Sequence, residues 1–198
     1  MSPTPEALTA ERILETTEEV LRRHGPAKAT VVDVARALGV SHGSVYRHFR
    51  TKAALREAVT KRWLDRTSHA LSGIVDEDRD AESRLRDWLS KLFAAKRHKA
   101  LADPELFDTY TVLTKENVTA VGEHVDELTT QLTRIVQDGA DAGVFTVADP
   151  AAAARAVFLA TGRFHDPAHS REWEQPDSDA EFAVIVDLLV RGLKSPAR

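Results

Sequence analysis

An all-α fold is predicted from three observations. Apolar residues recur at helical spacing along nearly the whole chain, glycine and proline fall between those stretches, and no stretch shows the period-two alternation of a half-buried strand. The expected architecture is a three-helix head, residues 1–54, joined by a long helix to a helical body, residues 55–198.

The first helix is expected to open near Thr9, with Ile13, Leu14, Thr17, Val20 and Leu21 on one face. It should end at His24-Gly25-Pro26, a terminator followed by a proline. Val31, Val34, Ala35 and Leu38 lie at i, i+3, i+4 and i+7 and define a second helix capped by Thr30. Gly39 stops it, because glycine accepts the left-handed conformation that ends a helix; Val40 can then plug the turn into the core. Ser41 caps a third helix that runs to about Phe49. It buries Val45 and Phe49 and leaves His42, Ser44, Tyr46, Arg47 and His48 on polar surfaces. Two short helices around a tight turn make a helix-turn-helix.

Thr51 caps a long helix carrying Leu55, Val59 and Trp63 and continuing toward Ile74, before the acidic turn Asp76-Glu77-Asp78. Leu85, Trp88, Leu89, Leu92 and Phe93 mark the next helix. Asp103-Pro104 opens another, with Leu106, Phe107, Tyr110 and Leu113 on one side, since proline suits the first helical position. The longest apolar stripe runs from about Asn117 to Asp141, with Gly139 and Gly143 near its end. Asp149-Pro150 opens an alanine-rich helix expected to reach Phe164, and a last helix spans about Asp179 to Leu193. Within it FAVIVDLLV has Asp187 as its one polar residue, so the helix needs partners on two sides. A homodimer formed through the last two long helices would supply them.

Charge separates head from body. The chain carries −4 overall, yet Arg36 to Arg66 holds eight basic and two acidic side chains, a local +6 that leaves −10 for the rest. That asymmetry favours one basic face on a molecule that otherwise repels phosphate. There is no cysteine, so disulfides and thiolate metal sites are excluded. No apolar run approaches the roughly 20 residues of a membrane span, and MSPTPEALTAER has no apolar signal core. A cytoplasmic protein without membrane contact is the expectation. The chain begins with a proline-punctuated stretch, Ser2 to Pro5, and ends on a short basic one, Lys194 to Arg198.

The segment ATVVDVARALGVSHGSVYRHFRTKAAL, following a helix that ends in HG, resembles the DNA-binding head of the TetR family of bacterial transcriptional repressors. The likeness spans about Thr9 to Val59; beyond that it is one of helix order. It implies that the third helix enters the major groove of an operator, carrying Ser41, His42, Gly43, Ser44, Tyr46, Arg47 and His48. It also implies that Tyr46, Lys52 and Thr30 hold phosphates. The chemistry agrees: Gly43 and Ser44 lack bulk, so the helix can press against base edges, and Arg47 can offer a bidentate fork to guanine. His42 stands where the family often has lysine or a small residue, which points to a mild pH dependence of binding. Family kinship further implies a homodimer reading a palindromic double-stranded operator, repression as the default, and release by a small-molecule effector held in the body.

Candidate effector contacts are Trp88, Phe107, Tyr110, His124 and Phe164, aromatic and polar side chains of the kind that line such sites. A second candidate is a divalent transition metal held by Asp108, His124, His165 and His169, since imidazole and carboxylate together suit Zn, Ni or Fe(II). His98, Asp103 and Glu105 lie on the same stretches. Pro167 restricts this idea, because a helix can start only at or just before it, which leaves His165 outside. No cofactor is expected to be required.

Two other readings compete with the repressor. A His/Asp cluster would suit a metal-dependent hydrolase, but there is no nucleophile elbow, no phosphate-cradling glycine loop and no HExxH, so no enzyme is expected. An architectural DNA binder without an effector would not need a body of this size.

Overall fold

A computed structural model describes residues 7–195. The stretch Ser2 to Pro5 and the end of the basic terminus, residues 196–198, lie outside the described residues. Among the described residues there is no strand, and no helix is long and apolar enough to cross a membrane.

The helices are α1 (Ala10–Lys28), α2 (Val31–Leu38), α3 (His42–His48), α4 (Lys52–Val75), α5 (Ala81–Ala102), α6 (Pro104–Glu116), α7 (Val118–Asp141), α8 (Pro150–Ala160) and α9 (Ser178–Lys194). Two 3-10 segments, Gly162–Phe164 and Pro167–Glu172, join α8 to α9. The described residues divide into two compact units. One takes the chain up to Leu64 together with Asp103–Val121, and the other takes Asp65–Ala102 with the chain from Gly122 onward. The division differs from a break at residue 54, because α6 belongs with the head.

In the first unit the side chains of Ile13, Val20, Leu21, Val34, Ala35, Val45, Leu55 and Val59 are all buried. They come from α1 to α4 and form one core. α1 opens on Thr9, whose hydroxyl accepts the Arg12 N–H at 3.2 Å. It breaks at Gly25, where φ is +70°, and Pro26 starts one further turn, so the expected terminator is a kink followed by a helical remnant. α6 is tied to the head by Arg22 to Asp103 at 2.7 Å and Arg56 to Glu116 at 2.7 Å. Arg62 clamps α4 to α1 through Glu11, Glu15 and Glu18, at 2.7, 3.2 and 3.2 Å.

In the second unit α5 and α7 share a core in which the Trp88 indole donates to Gln131 Oε1 at 3.0 Å. The Gln131 amide in turn donates to the Ser68 carbonyl at 3.1 Å. Phe93, Phe164 and Phe182 form an aromatic trio with centroids 5.0–5.3 Å apart. Phe145 presses so closely on Gly139 that a Cβ there would overlap its ring, so glycine at that position serves packing as well as the end of α7. α8 stops at Ala160, short of the predicted Phe164. The Thr161 hydroxyl bonds back to the Val157 and Phe158 carbonyls, and the chain tightens into a 3-10 turn.

Candidate nucleic-acid interface

The turn between α2 and α3 is built by backbone geometry alone. Gly39 adopts φ +68° and ψ 27°; its N–H reaches the Arg36 carbonyl at 3.1 Å, and the Val40 N–H reaches Ala35 at 3.0 Å. These two bonds make a Schellman motif, which closes the last turn of α2 and aims the chain into α3. Nothing lies within 4 Å of a Cβ built on Gly39, so the positive φ is what calls for glycine here. At the other end of α2 a capping box forms: Thr30 Oγ1 accepts the Asp33 N–H at 3.2 Å, and Asp33 Oδ2 accepts the Thr30 N–H at 3.1 Å. The Thr30 hydroxyl donates to the same carboxylate at 2.6 Å, and this bond above all holds the Asp33 carboxyl below the usual carboxylate range.

α3 is anchored by one side chain. Val45 is fully buried, whereas His42, Gly43, Tyr46, Arg47 and His48 are exposed and Ser44 is half-buried. Ser41 caps the helix by accepting the Ser44 N–H at 3.2 Å. A chain of side-chain bonds runs along the exposed surface: Ser41 Oγ and Ser44 Oγ lie 3.0 Å apart, and Arg47 Nη2 donates to Ser44 Oγ at 3.1 Å. His42 meets Tyr46 edge to face, with centroids 6.4 Å apart. Lys52 stands exposed at the start of α4, whose first turn is capped by the Thr51 hydroxyl accepting the Ala54 N–H at 3.0 Å. The structure therefore brings His42, Gly43, Ser44, Tyr46, Arg47 and His48 onto one short helix capped by Ser41, with Thr30 capping the helix before it and Lys52 opening the helix after it.

The basic run needs a correction. Its +6 is not one exposed face, because Arg56 bonds Glu116 and the Pro26 carbonyl, Arg62 is enclosed by three glutamates, and Arg36 pairs with Asp33 at 3.1 Å. What stands exposed around α3 is Arg47, Arg50 and Lys52, with Arg36 exposed on α2 in its surface pair with Asp33. Periodicity cannot reveal this, since the acidic partners of Arg56 and Arg62 come from distant parts of the chain.

The predicted effector contacts fall in both units. Phe107 and Tyr110 lie in the head unit, where both rings meet Trp63. Trp88 and Phe164 pack in the core of the second unit. His124 is buried there beside Lys96, whose Nζ lies 3.4 Å from His124 Nε2. Lys96 was not among the predicted residues, although it continues the apolar stripe of α5 through Leu85, Trp88, Leu89, Leu92 and Phe93. A lysine in register with an apolar stripe is the signal that could have found it.

The four predicted metal ligands are not assembled either. Among the described residues no three of the histidines, aspartates and glutamates are grouped to hold a metal ion. Asp108 belongs to the head unit, His165 Nε2–H donates to the Phe158 carbonyl at 3.0 Å, and His169 Nδ1 lies 2.9 Å from Glu172. Pro167 opens a 3-10 segment that leaves His165 outside it. The hydrolase reading loses its ligand set with them.

Comparison with known proteins accords with this geometry. Residues 13–59 match the model of "Bacterial regulatory proteins, tetR family", and residues 81–186 match the model of "Tetracyclin repressor-like, C-terminal domain". The chain is 31% identical over 93 residues to the nucleoid occlusion factor SlmA of Vibrio cholerae, covering 46% of this chain and 47% of that one. It is 30% identical over 86 residues to the HTH-type transcriptional regulator TtgR of Pseudomonas putida, covering 43% and 41%. The chain thus spans about half the length of the curated relatives it matches. A solved protein of unknown function from Rhodococcus sp. RHA1 has the same fold, with TM-score 0.73 at 24% identity over 98% of this chain and 100% of that one. With one family model covering the head and a second covering more than half of the chain, from α5 into α9, the chain belongs to the TetR family of bacterial regulatory proteins.

Proposed function

We propose that this chain is a sequence-specific transcriptional repressor of the cytoplasm that binds a palindromic operator as a homodimer and is released by a small molecule held in the second unit. The observation that carries the reading is α3 itself, a helix fixed by a single buried valine whose remaining surface is given to donors and acceptors. Such a helix fits the major groove, where base pairs are distinguished by donor and acceptor pattern. Arg47 and Ser44 read bases, Tyr46, Lys52 and Thr30 hold phosphates, and His42 and His48 flank them. Thr30 must release Asp33 to reach a phosphate.

Dimerisation through α8 and α9 is supported by what those helices leave uncovered. On α9 Ala180, Ala183, Val184, Asp187 and Leu188 form an exposed stripe at helical spacing, and on α8 Leu159 is exposed. Val184, Leu188 and Leu159 each keep about two-thirds of their surface in solvent, a pattern that favours a twofold partner.

The test is selection of genomic fragments by the purified chain, followed by footprinting. A single palindrome with half-sites about 34–36 Å apart, or a multiple of that distance, is expected, with a reporter repressed from it. Enrichment of no fragment, or coverage without sequence preference, overturns the reading.

A further inference from the structure

Lys96 lies on the buried face of α5 with 6% of its surface exposed. A charged ammonium can only donate, so its contact with His124 Nε2 uses that nitrogen as an acceptor and takes one of three hydrogens. Among the described residues no carboxylate stands within ion-pair distance of Lys96. Burial lowers its pKa to about 8, partly offset by the charge of exposed Asp166, so at neutral pH most molecules keep a buried charge. Such a charge costs the free protein stability, and an apolar residue of similar volume is often neutral or stabilising in its place.

We propose that Lys96 and His124 form the anion-binding end of the effector site, which takes a small apolar molecule bearing one carboxylate. The proposal rests on the reading that an effector is held in this unit, and it names the class. The remaining ammonium hydrogens match carboxylate oxygens, and the pair gains strength where water is excluded. One negative charge fits better than two: His165 is neutral and committed to the Phe158 carbonyl, and Asp166 repels further anionic charge. The apolar part follows from the neighbours, Leu92 and Phe93 within one turn of Lys96 and the Phe158 ring stacked on His165 at 4.3 Å.

The experiment uses the full chain with decanoate and 4-phenylbutyrate, each beside its neutral amide. At least one carboxylate should raise the melting temperature and weaken operator binding tenfold or more, while its amide does neither. K96M and K96Q should abolish the response, and K96M without probe should melt no lower than the parent. No shift with either carboxylate, an equal shift with the amides, or an undiminished response in K96Q overturns the proposal. The parent chain decides the first two outcomes even if a variant fails to fold. A parent that binds its operator but ignores both carboxylates sinks this inference alone, whereas a parent that enriches no genomic fragment sinks the repressor reading.

Discussion

Trp63 of α4 and Tyr110 of α6 stack face to face, with ring centroids 4.5 Å apart and 9° between their planes, and Phe107 meets the same indole at 6.2 Å. This contact, with the Arg22–Asp103 and Arg56–Glu116 pairs, makes α6 part of the head unit. Replacing Trp63 by alanine should cost about 3–5 kcal/mol, the usual range for a large buried aromatic. W63F should lose less. Urea denaturation of the full chain measures both, and equal midpoints for the parent and W63A would contradict the assignment.

Lys52 and Arg47 should separate affinity from specificity. K52A is expected to weaken binding to every sequence and to reduce the salt slope by about one per head. R47A should in addition relax preference at one base pair, by about 1–3 kcal/mol of discrimination. Binding titrations on the operator and on single-base variants, each at several salt concentrations, distinguish the two.

Leu188 is, with Val184, one of the two large apolar side chains of the uncovered α9 stripe. L188E places a charge on each side of the proposed twofold, so sedimentation at micromolar concentration should change from dimer to monomer. Operator affinity should fall more than tenfold, because each head alone contacts too few bases. A dimer that survives both L188E and V184E would move the interface elsewhere.

His165 should make the fold acid-sensitive. Burial pushes its imidazole down to about 4; the bond to the Phe158 carbonyl and the charge of Asp166 oppose this, and Lys96 adds to it. The unfolded chain takes up this proton near pH 6.5. Stability from this group is therefore complete above 6.5 and falls by on the order of 3 kcal/mol as pH drops to 4. H165Q should flatten that part of the profile, and parallel profiles for the two proteins would refute it.

The head was legible because its signals are local. Thr9, Thr30, Ser41 and Thr51 cap the helices they precede, and Gly39 turns the chain, all decided within a few residues. The second unit was legible only as helices. Whether Tyr110 faces Trp63 or an effector depends on contacts dozens of residues away, and so does the partner of Arg62. His165 and His169 are near in sequence yet turn to different acceptors, because Pro167 restarts the backbone between them. Thr161, by bonding back into α8, ended that helix earlier than its alanine content suggested.

On the proposed reading, the bond from Arg47 to Ser44 is an internal competitor for the groove. The guanidinium already has an acceptor on its own helix, so a base must offer more than a serine hydroxyl does before it leaves. Guanine, with two acceptors side by side, can exceed that threshold, and a base pair presenting one weak acceptor cannot. If Arg47 reads bases as proposed, discrimination against poor sites is partly set within the free protein, one turn of helix away.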